Sequence, residues 1–140
     1  MKTPARPAAQ TTAIARPLLA SRVEAGFPSP ADDYVERTLD LNEELITHPA
    51  ATFFLRAGGR SMLGAGIHDG DLLVVDRSKT AETGMVVVAV VDGEFTVKRL
   101  TRGPDGPTLT AEHHGYPPIP IGPDNEVTIW GVVTWVLHRP

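Results

Sequence analysis

Met85-Val86-Val87-Val88-Ala89-Val90-Val91-Asp92-Gly93-Glu94-Phe95-Thr96-Val97-Lys98-Arg99-Leu100 decides the fold. Two runs rich in β-branched residues are parted only by Asp92-Gly93, a pair suited to the positive φ angles of a type I′ turn. The spacing therefore predicts a β-hairpin. Strand alternation puts Thr96, Lys98 and Leu100 on one face and Phe95, Val97 and Arg99 on the other. A lysine flanked by Thr96 and Leu100 is expected to be half-buried, and burial lowers a lysine pKa because the ammonium loses its water.

Outward from this hairpin, residues 52–56, 71–75, 108–112 and 126–137 have the same strand-like texture, with Gly and Asp in nearly every gap. Many short strands and few helices imply a mainly β protein of folded, antiparallel sheets. Upstream, Ser29, Pro30 and Asp32 have the spacing of a helix start, which predicts a short helix through Tyr34 and Val35. Asp40 is expected to cap a second helix, with Glu43 three residues on, Leu41 and Leu45 on one face, and Pro49 as its stop. Residues 1–25 carry Lys2, Arg6, Arg16 and Arg22 against Glu24, a net of +3, and are broken by Pro4, Pro7 and Pro17. That segment reads as a flexible arm, and residues 26–140 as one domain.

The 140 residues, 41% of them hydrophobic, suffice for one ordinary core. A formal charge of -4 and a pI near 5.7 argue against a protein that wraps duplex DNA electrostatically. Without cysteine, disulfides, thiolate metal sites and cysteine nucleophiles are excluded. No stretch approaches the roughly 20 apolar residues of a membrane span, and no secretory signal core is seen, so a cytoplasmic location is expected. The Arg-rich, acid-poor leader is also compatible with an organelle transit peptide.

Ser61 follows Gly58-Gly59-Arg60 and precedes Met62-Leu63-Gly64, as on a sharp turn where backbone N–H groups can also face a reacting carbonyl. Taken alone, such a serine is more often a turn residue, and a strand lysine such as Lys98 more often reaches solvent. Together they suggest a serine nucleophile with a lysine base. A triad of Ser61 with His68 or His113 stays open, since triad order varies between folds. His48, His68, His113, His114 and His138 have no HExxH spacing and no cysteine partners, so no metal site is expected. Trp130 and Trp135, on opposite faces of the last strand, read as one core residue and one interface residue.

Several segments, in this order and spacing, carry a resemblance over residues 25–136: Ala25-Gly26-Phe27-Pro28-Ser29-Pro30, Ser61-Met62, Asp69-Gly70-Asp71-Leu72-Leu73-Val74-Val75-Asp76, Val91 to Leu100, and Trp130-Gly131-Val132-Val133. In them the chain resembles the LexA-like self-cleaving Ser/Lys peptidases, which include UmuD-like mutagenesis proteins and self-cleaving repressors. The resemblance implies Ser61 as nucleophile, Lys98 as general base, the Ser61 and Met62 backbone N–H groups as oxyanion hole, and cleavage of the chain's own arm between Ala25 and Gly26. It further implies a homodimer in the SOS DNA-damage response. A RecA filament on single-stranded DNA would activate it, and the trimmed dimer would join an error-prone, UmuC-like translesion polymerase. It calls for no cofactor and no sequence-specific DNA contact. Arg60 departs from the family's usual acidic or small polar residue before the serine, and a cation close to Lys98 would ease its deprotonation. Residues 1–25 cannot build a helix-turn-helix domain, which favours the mutagenesis role over repression. The alternatives are a docking module for a polymerase with a decayed site, and a Ser/Lys peptidase acting in trans.

Overall fold

The computed structural model describes residues 13–28 and 30–140, in two compact units divided between Glu44 and Leu45. In the N-terminal unit, β1 (Ala15–Leu19) pairs antiparallel with β2 (Val35–Asp40). Residues 15–19 of the segment read as an arm thus form a strand. One expectation is corrected: the helix predicted through Tyr34 and Val35 does not form. Asp32, read as a helix-start residue, instead accepts the Tyr34 N–H on Oδ1 at 3.0 Å. That local ring is an Asx-turn, which sends the chain into extended backbone where β-prone Tyr34 and Val35 follow naturally. Ser29, the expected cap, lies outside the described residues. The second helix forms as α1 (Leu41–Leu45), and Asp40 caps it by accepting the Asn42 N–H on Oδ1 at 3.0 Å. It ends before Pro49, which opens a separate 3-10 turn, Pro49–Ala51.

The second unit is a seven-stranded sheet of β3 (Thr52–Arg56), β4 (Leu72–Asp76), β5 (Val86–Val91), β6 (Glu94–Gly103), β7 (Gly106–Thr110), β8 (Ile119–Pro120) and β9 (Val127–Leu137). Its order is β3-β4-β9-β5-β6-β7-β8, and every pair is antiparallel. The expected hairpin joins β5 to β6 with Val91 opposite Glu94, and Asp92 and Gly93 both adopt positive φ, 48° and 86°. Irregular register where β9 meets β4 and β5 bends the sheet.

Apolar side chains gather on both faces of the bent sheet. Leu73, Val75 and Val88 join Met62 and Ile67 in one cluster, while Val87, Ala89, Leu100, Leu109 and Val132 form the other. This explains the near-continuous apolar run of β5: successive residues point into opposite cores. Trp130 packs against the first cluster, as expected of one of the two tryptophans, whereas Trp135 is exposed.

Candidate active site

Lys98 lies mid-way along β6, opposite Val87 of β5. Strand β7 pairs with β6 only from Arg99 onward, so among the described residues no ladder strand covers that flank of β6 at Lys98. The turn that carries Ser61 fills it. Beyond β7, the Glu112 N–H donates to Ser61 O at 2.8 Å, and the Gly64 N–H donates to Glu112 O at 2.7 Å. Glu112, two residues past the end of β7, thus ties the serine turn down beside the lysine through its backbone. The Arg99 guanidinium binds the Glu112 carboxylate through Nε and Oε1, which ties the turn's anchor to the strand position next to Lys98.

The turn is held from its other end too. The Ala57 N–H donates to Asp71 O at 2.8 Å, the Gly70 N–H to Ala57 O at 2.8 Å, and the Gly59 N–H to Asp69 Oδ1 at 2.7 Å. Gly59 has φ +83°, a conformation that a β-carbon would strain, and it swings the chain from β3 into the serine turn. Met62, buried at 2% exposure, plugs the turn into the first core cluster. A 3-10 turn, Leu63–Ala65, follows.

Within this frame Lys98 Nζ donates to Ser61 Oγ at 2.9 Å, to Thr96 Oγ1 at 3.1 Å and to Val97 O at 3.1 Å. An ammonium has three N–H bonds, and these acceptors use all of them. Once one proton leaves, donation to Thr96 and Val97 turns the lone pair toward Ser61, whose hydroxyl can then donate to nitrogen. Lys98 is only 8% exposed, and burial pushes its pKa below 10.5. Arg60 does not enter as a cause of that shift, and its side chain is exposed.

Ser61 also borders a cleft whose walls include Leu55, Ala57, Leu73, Phe95 and Val97. Arg56, Gly58 and Thr96 line it as well, so the cleft beside the serine is of mixed polarity. Neither the Ser61 nor the Met62 N–H is engaged in a turn or loop backbone hydrogen bond among the described residues. His68 faces Asp71, and His113 lies against the rings of His114 and Tyr116, so the histidine triads left open by the sequence find no partner at Ser61 in the hydrogen bonds of the described residues. Alternation already set Thr96 on the lysine's face. Nothing local marked Glu112, because its part depends on where β7 ends.

A family model described as peptidase S24-like matches residues 17–134. The chain is 52% identical to Protein ImpA of Salmonella typhimurium over 97% of its own length and 92% of that protein. It is 53% identical to Protein MucA of Escherichia coli over 86% of its length and 83% of that relative. LexA repressor 1 of Pseudomonas syringae pv. tomato is 39% identical over 84% of this chain and 58% of the repressor. By the span of the family model and the identity to these relatives, the chain belongs to the peptidase S24-like family.

Proposed function

We propose that the protein is a serine peptidase that cuts its own chain between Ala25 and Gly26, with Ser61 as nucleophile and Lys98 as general base. The observation that carries this reading is the 2.9 Å contact between Lys98 Nζ and Ser61 Oγ, made by an amine that burial pushes toward its neutral form. Neutral Lys98 takes the Ser61 proton as Oγ attacks the Ala25 carbonyl carbon. The Ser61 and Met62 N–H groups receive the resulting oxyanion. As the tetrahedral intermediate collapses, the Lys98 ammonium returns the proton to the Gly26 nitrogen, which leaves with its electron pair. Water then attacks the acyl-enzyme by the same base, freeing Ser61.

Alanine before the scissile bond and glycine after it are small enough to approach the cleft beside Ser61 without side-chain clashes. An intramolecular scissile bond replaces translational entropy loss by the modest cost of loop closure. Ala25 and Gly26 lie in the connection between β1 and β2. Cutting there severs the covalent link of a two-stranded sheet of five-residue β1 and six-residue β2. Such a sheet has little stability of its own, so β1 is expected to leave with the arm. Residues 1–25 are then the part removed, and 26–140 the product.

With relatives that include ImpA, MucA and a LexA repressor, the reading extends to the SOS response in the cytoplasm. A RecA filament on single-stranded DNA would trigger cleavage by ordering the scissile segment and drying the cleft. The trimmed homodimer would then serve an error-prone polymerase. Incubation of the full chain with RecA, ATP and single-stranded DNA tests this. A new N-terminus at Gly26 is expected, absent for Ser61→Ala and Lys98→Ala. Equal cleavage by Lys98→Ala would remove the assigned base, and an intact wild-type chain that still binds the polymerase would favour the docking reading.

A further inference from the structure

The turn that braces Ala57 and Gly59 ahead of the serine carries a second cluster of functional groups. Strand β4 pairs with β9 so that Leu72 faces Leu137, and one step beyond that register Asp71 meets His138. The reverse turn His68-Asp69-Gly70-Asp71, closed by the Asp71 N–H donating to His68 O at 3.1 Å, brings a second imidazole to the same carboxylate. Asp71 is 4% exposed. Its Oδ1 lies 2.6 Å from His138 Nδ1, and its Oδ2 lies 3.6 Å from His68 Nδ1. The imidazoles stack with ring centroids 4.2 Å apart, and one ligand atom from each of the three residues falls within 4.8 Å of the others. Residues separated by 67 positions in sequence are thus gathered by sheet register.

We infer that His68, Asp71 and His138 form a binding site for a divalent first-row transition ion, Zn²⁺ above all. Two imidazole nitrogens and one carboxylate oxygen are borderline ligands that suit zinc better than calcium or magnesium, which prefer all-oxygen shells. The carboxylate is fixed from within by the sheet and accepts the His68 backbone N–H at 2.7 Å. The two rings are 47% and 42% exposed, so an ion can enter from solvent and keep water in its remaining position. Binding through His138 Nδ1 replaces its hydrogen bond to Asp71. The ring proton moves to Nε2, and nitrogen and oxygen separate to about 3.3 Å, the edge of a tetrahedron with ligand bonds near 2.0 Å.

The ion would clamp the end of β9 to the turn that holds Ala57 and Gly59, and hence the approach to Ser61. A group that binds the folded chain and not the unfolded one stabilises it by mass action.

The test is isothermal titration of untagged full-length protein with ZnCl₂, alongside thermal melts at increasing zinc. One equivalent should bind, and the melting temperature should climb with zinc. His68→Ala and His138→Ala, both changes at half-exposed rings, should each weaken uptake at least about tenfold. Asp71→Asn keeps the carboxylate's shape and should do the same. His113→Ala/His114→Ala, at the other pair of touching imidazoles, should bind zinc as wild type does. Metal-free melts establish that each variant folds. No uptake up to millimolar zinc, or uptake lost in the His113/His114 variant and kept in His138→Ala, would overturn the site.

Discussion

Gly64 offers a sharp probe of how the serine is placed. A β-carbon built there would meet Glu112 O at 2.5 Å and Glu112 C at 3.3 Å, both backbone atoms with little room to give. Gly64 is not among the residues of positive φ, so alanine strains no backbone angle and acts through this clash alone. To bring the contact beyond 3.0 Å, the serine turn must retreat from Glu112 by at least half an ångström, stretching the 2.7 Å bond from the Gly64 N–H. Ser61, whose carbonyl is tied to the same Glu112, would shift with it against Lys98. A displacement approaching 1 Å between reacting groups costs about 100-fold in rate. Gly64→Ala should therefore slow self-cleavage by about that factor, and an overpacked contact of this kind should also lower stability by about 1–3 kcal/mol. Gly58→Ala is the matched control, since its β-carbon would meet only Asp69 Oδ1 at an ordinary 3.9 Å. The assay is the first-order loss of full-length chain at several pH values, with urea melts beside it. Because that turn covers the open flank of β6 at Lys98, its retreat can only wet the amine, so the pH at which the Gly64→Ala rate levels off should lie at or above the wild-type value. A Gly64→Ala rate within twofold of wild type, or equal damage from Gly58→Ala, would refute the reasoning.

Other expectations follow from the same side chains. Cleavage should rise about tenfold per pH unit while Lys98 is charged and flatten below 10.5, since only the neutral amine can accept the serine proton; a flat profile between pH 6 and 10, measured by the same chain-loss assay, would contradict it. Because the folded chain gives up that proton before the unfolded one, stability should also increase with pH between the lowered folded pKa and 10.5, as urea melts of wild type against Lys98→Met would register. Lys98→Arg keeps the charge but cannot deprotonate, and should cut the rate at least about 100-fold at every pH. Asp76 is held down to about 2 by hydrogen bonds from His48 and Ser78. Asp76→Asn should cost about 1–3 kcal/mol at pH 6, measured by urea unfolding. That deficit should vanish as pH falls from 3.8 through about 2, where the native carboxylate itself becomes protonated.

The sequence was most legible where local chemistry and tertiary pairing agree. Asp92-Gly93 can hardly be anything but a tight turn, and the apolar runs beside it had only strand partners to choose. Lys98 and Ser61 could be suspected singly, yet their contact depends on β7 stopping short and on the Glu112 backbone holding the serine turn, neither of which leaves a local trace. Residues 15–19 and 35–40 show the opposite case. Pro17 and the charged Glu36 and Arg37 hide a strand pair whose members find each other across a long connection. Pro30 and Asp32 offered helix-start chemistry that an Asx-turn used otherwise. The His68, Asp71 and His138 cluster was invisible for the same reason as Glu112: register, rather than spacing, assembles it.

The account rests on a Lys98 amine that burial makes easier to neutralise than a solvated lysine while it touches Ser61 Oγ. Titrating Lys98 by NMR in Ser61→Ala protein, with the ¹³Cε and ¹⁵Nζ signals followed from pH 6 to 12, measures this directly. A midpoint below 10.5 is expected; one at or above 10.5 would contradict the account, whatever the distance between the two side chains.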